Sequence, residues 1–161
     1  MTFVTEGGTS GCFNQAMARS YVLNYLHCVF ATKQRRATIN NPDSVWAYIR
    51  GIARNCHFDL LAIGGTENHV HLLLALPARR NLSDVMRDIK ANSSRFIRTK
   101  NRLFAWQDGY AGVSVSPSQI AAVRKYIANQ AEHHRTRPFE DEYLALLKRV
   151  GMSFDPDDVL D

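Results

Sequence analysis

Asn68-His69-Val70-His71-Leu72-Leu73-Leu74 is the stretch whose reading decides the fold. Rich in Val and Leu, continued by Ala75-Leu76 and ended by Pro77, it reads as a buried strand over 69–76. Side chains on a strand alternate between faces. His69 and His71 therefore point one way, and Val70, Leu72 and Leu74 the other. Two imidazoles a few ångströms apart on one face can hold one metal ion. In a chain with six histidines, an H-x-H arises by chance at odds of roughly one in five. The pair therefore takes its meaning from what surrounds it.

Working upstream, Gly64-Gly65-Thr66-Glu67 is a turn, and His57 to Ile63 is a strand entering it. Before that, Asp43 or Ser44 caps a helix to about Cys56, with Val45, Ile49 and Ile52 on one face. Lys33-Gln34-Arg35-Arg36 is a basic loop, and Ser20 to Thr32 is a long strand of β-branched and aromatic residues. Downstream, Asn81 or Ser83 opens a helix to about Lys100, with Leu82, Val85, Met86, Ile89 and Phe96 as its apolar face. Phe104 to Ser116 reads as a strand with a turn or bulge at Asp108-Gly109. Pro117 starts a helix reaching about His134, and Pro138 to Val150 is a last helix. Strand, helix, strand, strand, helix, strand is a split βαβ pattern. It predicts an α+β, ferredoxin-like sandwich with an antiparallel sheet and additional C-terminal helices. Residues 17–150 form one domain, with Met17 a candidate native start. Residues 1–16, containing Gly7-Gly8-Thr9-Ser10-Gly11, read as a poorly ordered leader, and 151–161 as an acidic tail.

Charge is unevenly distributed. Residues 1–137 hold 18 Lys/Arg against 8 Asp/Glu, a balance of +10; residues 138–161 hold 2 against 7, a balance of −5. The stretch 79–102 is the densest, with eight basic residues against Asp84 and Asp88. A basic body points to an anionic partner such as nucleic acid. Cys12, Cys28 and Cys56 are odd in number and form no C-x-x-C. That argues against a disulfide framework or a zinc ribbon and suits a reducing cytoplasm. No apolar run approaches the ~20 residues of a membrane span, and no signal peptide is visible.

On the helix 117–134, Ile120, Val123 and Ile127 form the apolar stripe. Tyr126 and Gln130 are an i, i+4 pair at its edge, with His133 one further turn along. A tyrosine hydroxyl is a weak nucleophile at neutral pH. A divalent cation on a scissile phosphate would neutralise charge and favour its attack. His69, His71 and the amide oxygen of Gln130 could hold that cation. An oxygen donor beside two imidazoles suits Mn²⁺ or Mg²⁺ better than a closed zinc site.

His69-Val70-His71 with Leu72-Leu73, Lys90-Ala91-Asn92-Ser93-Ser94, Trp106-Gln107-Asp108-Gly109-Tyr110, Ser114-Val115-Ser116 and the run from Tyr126 to His134 (YIANQAEHH) together resemble the single-tyrosine HUH transposases of insertion sequences, the IS200-like family. The REP-associated tyrosine transposases are similar. The resemblance covers about residues 20–150. Two details depart from it: Glu67 stands where a proline-led turn is common, and Ala111-Gly112 where Gly-Ala is usual. The resemblance implies a homodimer that recognises single-stranded DNA hairpins, with Tyr126 forming a 5′-phosphotyrosine. It also implies a Mg²⁺ or Mn²⁺ ion on His69, His71 and Gln130, and it favours sites that pair one chain's histidines with the partner's tyrosine. Arg87, Lys90, Asn92, Arg95 and Arg98 are the expected DNA contacts; Glu67, Trp106 and His133 are weaker candidates for DNA contact or for supporting the metal ligands.

Two other classes of function compete. A ferredoxin-like sheet with exposed aromatics can bind RNA by base stacking without catalysis, although 69–76 offers histidines and aliphatics where such a domain shows aromatics. A domesticated relative would keep the nuclease and process repeated palindromes.

Overall fold

The structure, a computed structural model, describes residues 22–134 and 138–155. The expected leader, the start of the first strand and residues 156–161 of the acidic tail lie outside the described residues. In chain order run β1 (Tyr25–Ala31), α1 (Pro42–Asn55), β2 (Asp59–Gly65), β3 (His69–Ala75), α2 (Leu82–Arg98) and β4 (Ala111–Val115). Then come α3 (Ile120–Ala128), α4 (Gln130–His133) and α5 (Phe139–Arg149). The strands form one sheet in the order β2-β3-β1-β4, and every pairing in it is antiparallel. This is the expected α+β, ferredoxin-like arrangement. Among the described residues no helix is long and apolar enough to cross a membrane.

Element ends differ from the sequence reading for local reasons. Asn41, two residues before the nearer expected cap Asp43, caps α1 by accepting from the Ser44 amide at 3.1 Å, with Pro42 in the first turn. Asn81 caps α2 in the same way, through Asp84 N at 2.8 Å. The strand expected from His57 begins at Asp59. His57 takes a left-handed φ of 55°, and Phe58 N donates to Ala53 O at 3.1 Å, so this segment ends α1 as a Schellman-type cap. The strand expected from Phe104 is ordered as β4 only from Ala111. The Lys90 ammonium donates to the carbonyls of Gln107 (2.5 Å), Asp108 (2.8 Å) and Gly109 (3.0 Å). Those carbonyls turn to the lysine and not to a neighbouring strand. The helix expected over 117–134 opens with a 3-10 turn, Pro117–Gln119, and is interrupted at Asn129, whose amide bonds to both Tyr126 O and Lys125 O at 3.2 Å.

The alternation read along β3 is realised. Val70, Leu72 and Leu74 join Leu26, Cys28 and Phe30 of β1 in the main core, beneath Val45, Ile49 and Ile52 of α1 and Val85, Met86 and Ile89 of α2. The opposite face carries His27, Val29 and Ala31 beside Leu73, His71 and His69. It is covered as well: Phe139 of α5 packs with Val29 and Ala31, backed by Tyr143 and Leu146. Both faces of the central strands are thus closed, which removes the open platform that base stacking requires.

Helix α3 sits directly on β2. A Cβ placed on Gly64 would lie 2.2 Å from the backbone oxygen of Ile127. Only glycine lets the helix backbone come this close to the strand. Gly64→Ala should therefore push α3 off the sheet and cost about 1–3 kcal/mol in urea unfolding. Gly109→Ala, where the added carbon meets nothing within 4 Å, should change stability little. Equal, small effects for the two would show that α3 does not depend on this contact.

Candidate metal centre and nucleophile

His69 and His71 are both essentially fully buried. The His69 ring is held from behind: its Nδ1 lies 2.7 Å from Asn68 Oδ1 and 3.0 Å from Thr66 Oγ1, whose hydroxyl donates to Asn68 Oδ1 at 2.9 Å. With these acceptors the network places the ring proton on Nδ1 and leaves Nε2 as a bare lone pair. That Nε2 faces Gln130 Oε1 at 3.3 Å. The amide is oriented by its other end, since Gln130 Nε2 donates to Glu142 Oε1 at 3.1 Å. Two acceptors therefore face one another, an arrangement that a cation between them would relieve.

His71 presents the same case more plainly. Its Nδ1 lies 3.0 Å from Nε2 of His27. Among the described residues its buried Nε2 has no hydrogen-bond partner; Glu142 Oε1 stands 3.9 Å away. Buried polar atoms are rarely left so. His134 adds a third imidazole. Its Nε2 is 3.0 Å from Gln130 Oε1 and 2.6 Å from Glu142 Oε2. Ligand atoms of His69, His71 and His134 lie within 4.8 Å of one another. An orphaned nitrogen, opposed acceptors and three converging imidazoles fit a divalent cation.

The electrostatics agree. Burial, reinforced by neighbouring imidazoles, holds His71 well below its ordinary range. Burial first, then the charge of His134, lowers His69 to about 3, opposed by the hydrogen bond that a protonated Nε2 would donate to Gln130 Oε1. Burial alone takes His27 to about 4. The imidazoles are neutral at neutral pH, as metal ligands must be. Burial also raises the Glu142 carboxyl to about 7.

Tyr126, on α3 and half-buried, sets its ring edge-on to His71 at 5.7 Å and to His27 at 5.9 Å between centroids. The structure thus brings together Tyr126, His69, His71 and Gln130, and within a single chain it docks the Tyr126 helix on its own sheet. An open cavity of about 740 Å³ leads to this cluster, between the start of α1, the β2–β3 turn and α3–α4; Trp46, Arg50, Glu67, Gln130 and His134 line it.

The expected DNA contacts lie elsewhere. They are on α2, which packs on the sheet face opposite the histidines. Arg95 is exposed. Arg87 pairs with Asp84 at 2.7 Å, Arg98 Nε donates to Phe104 O at 2.8 Å, and Asn92 Nδ2 donates to Asp88 O at 2.8 Å. Lys90 serves the loop after α2. Trp106 is a core residue whose Nε1 donates to Ser93 Oγ at 3.0 Å. His133 ends α4, and its side chain lies outside the described residues.

Three residues of the cluster escaped the sequence reading. His27 carried a signal, since on a strand it shares a face with Val29 and Ala31, but its partner depends on register. His134 lies in the quoted run 126–134 and could have been singled out one turn beyond Gln130. Glu142 looks like an ordinary acidic residue in the first turn of a helix.

Against known proteins, the family model described as "Transposase IS200 like" matches residues 20–130. The ISDra2 transposase TnpA of Deinococcus radiodurans is 26% identical over 120 residues, spanning 68% of this chain and 85% of that protein. A candidate transposase of Deinococcus radiodurans R1, known from its crystal structure, superposes with a TM-score of 0.56 at 26% identity, covering 70% of this chain and 95% of the other. A REP-associated tyrosine transposase bound to a REP hairpin shares the fold, with a TM-score of 0.57 at 19% identity and 72% of each chain covered.

The neutral histidines make the metal-free protein sensitive to acid. The unfolded chain protonates them near 6.5 while the folded chain resists to about 4 at His27 and about 3 at His69, so the unfolded state gains protons as pH falls. His27 alone contributes on the order of 3 kcal/mol above pH 6.5, lost as pH falls towards 4. Glu142 acts oppositely. Its folded value of about 7 lies above the ordinary 4.5, so the stability it gives at low pH is lost as pH rises towards 7. With more histidines than carboxyls involved, urea stability should climb from pH 4 to about 6.5 and stop climbing near 7. A flat profile across pH 5–6.5 would contradict buried neutral imidazoles.

Proposed function

The chain belongs to the IS200-like transposase family, and on that premise we propose that it is a metal-dependent transposase that cleaves and rejoins single-stranded DNA at hairpin-bearing ends. The observation that carries this reading is the orphaned, buried Nε2 of His71, in a ring that converges with His69 and His134 and meets the Tyr126 ring edge-on. His69, His71 and Gln130 would hold Mg²⁺ or Mn²⁺. When bound, the ion withdraws charge from the scissile phosphate and favours attack on phosphorus.

Tyr126 is the nucleophile. Its Oη loses its proton and bonds to phosphorus; the bond from phosphorus to the 3′ oxygen breaks, and that oxygen takes up a proton. The products are a 5′-phosphotyrosine and a free 3′-OH. The phosphodiester energy stays in the protein–DNA bond, so attack by another 3′-OH restores a DNA strand without ATP. Burial of His27, His69 and His71 keeps them neutral and their rings in place during this exchange. The basic side chains of α2, above all exposed Arg95, offer a surface for the DNA backbone on the other side of the sheet. The family's known hairpin binder supports hairpins as substrate by analogy of fold.

The test is incubation with labelled single-stranded hairpin DNA and Mn²⁺. Wild type should form a covalent adduct that Tyr126→Phe abolishes while hairpin binding persists. An adduct surviving in Tyr126→Phe would remove Tyr126 from its role.

Excision needs two cut ends, and one tyrosine holds one end, so the working unit is a homodimer. Only residues 116–119 join β4 to α3. The contact of α3 with β2 can therefore form within a chain, as here, or with a partner's sheet. Mixing His69→Ala/His71→Ala chains with Tyr126→Phe chains separates the two. Cleavage should return if the helix docks on the partner. A silent mixture with heterodimers verified would establish the intrachain site.

A further inference from the structure

The ligands read from the sequence are all neutral: two imidazoles and an amide. A divalent ion among them would keep its full charge in a buried site until DNA brought a phosphate. Burying an uncompensated charge is costly. The structure supplies a compensating group from a part of the chain the sequence reading did not connect with the site. Glu142 stands in the first turn of α5. Its Oε1 lies 3.1 Å from Gln130 Nε2 and 3.9 Å from the orphaned His71 Nε2, and its Oε2 lies 2.6 Å from His134 Nε2. The carboxylate therefore touches or faces three residues of the cluster.

Its placement is built in. Phe139 stacks on the His69 ring at 4.4 Å and an interplanar angle of 20°. Glu140 pairs with Arg35 at 2.8 Å. These two contacts hold the first turn of α5, and with it Glu142, against the site.

We propose that Glu142 is the anionic ligand of the cation held by His69 and His71 in the DNA-free protein, and that His134 is a positioning residue for its carboxylate. This rests on the metal-centre reading above. A carboxylate oxygen lowers the net charge of the loaded site and suits Mg²⁺ and Mn²⁺. It also makes α5 part of the metal centre, so ion binding and docking of this helix support one another.

The experiment is Mn²⁺ titration of the full chain without DNA, by calorimetry and by loss of the free-Mn²⁺ electron paramagnetic resonance signal. Glu142→Gln keeps the shape and removes the charge; its affinity should fall at least about tenfold. Glu142→Asp, which keeps the charge on a shorter stem, should fall between the two. His134→Ala should weaken binding by a smaller factor, and Asp141→Asn, which removes an exposed carboxylate of the same helix, should leave it unchanged. Circular dichroism and urea unfolding without metal check that each variant is folded. Wild-type affinity in folded Glu142→Gln, with binding lost in His69→Ala/His71→Ala, overturns the role of Glu142 and leaves the metal centre standing. A larger loss in His134→Ala than in Glu142→Gln makes His134 the ligand and also overturns it. A wild type that binds no Mn²⁺ removes the metal centre itself, and this inference with it.

Discussion

Along β3, aliphatic side chains and imidazoles stand back to back through a single strand, and both sets are buried. Covering the aliphatic face is ordinary work for α1 and α2 in a fold of this kind. Covering the imidazole face is harder, because each buried ring must be neutral and each of its nitrogens must find a partner. The partners come from three places: Asn68 and Thr66 beside the strand, His27 across from it, and Gln130 above it, itself held by Glu142 and His134. One nitrogen, His71 Nε2, is left over. The site is in this sense the residue of a packing problem that protein groups alone do not solve.

The same division sorts the functions of the two sheet faces. The helix richest in positive charge, α2, belongs to the aliphatic face, while the tyrosine and the imidazoles belong to the other. On the proposed reading, a DNA backbone carried by α2 would be kept apart from the buried, weakly solvated cluster. The cluster is reached instead through the cavity beside α1 and the β2–β3 turn. Low dielectric around the cluster strengthens every charge interaction in it and makes any unpaired charge expensive. That gives the carboxylate of Glu142 its weight.

Docking of α3 depends on a contact that has no side chain. Gly64 admits the Ile127 backbone to the surface of β2, and Tyr126, one residue earlier, is thereby set over His71 and His27. α5 is fastened by different means, an aromatic stack and two carboxylates. The centre therefore joins segments around residues 27, 66–71, 126–134 and 139–142, each held by its own local physics.

What the sequence by itself determined is what depends on short-range periodicity and spacing. The two-residue alternation of 69–75 specified which face carries His69 and His71. The one-turn spacing of Tyr126 and Gln130 specified that they are neighbours, even across the interruption at Asn129. Proline, asparagine and glycine punctuation marked element order and so the ferredoxin-like sheet; it missed the shortening of β4, because Lys90 reaches 17 to 19 residues ahead to gather carbonyls. Only the tertiary structure decided the rest. His27 meets His71 because of strand register, 44 residues apart in sequence. Glu142 meets Gln130 because α5 folds back over the sheet after α4. Register and helix docking are set by the packing of whole faces, and no pattern within a single segment encodes them.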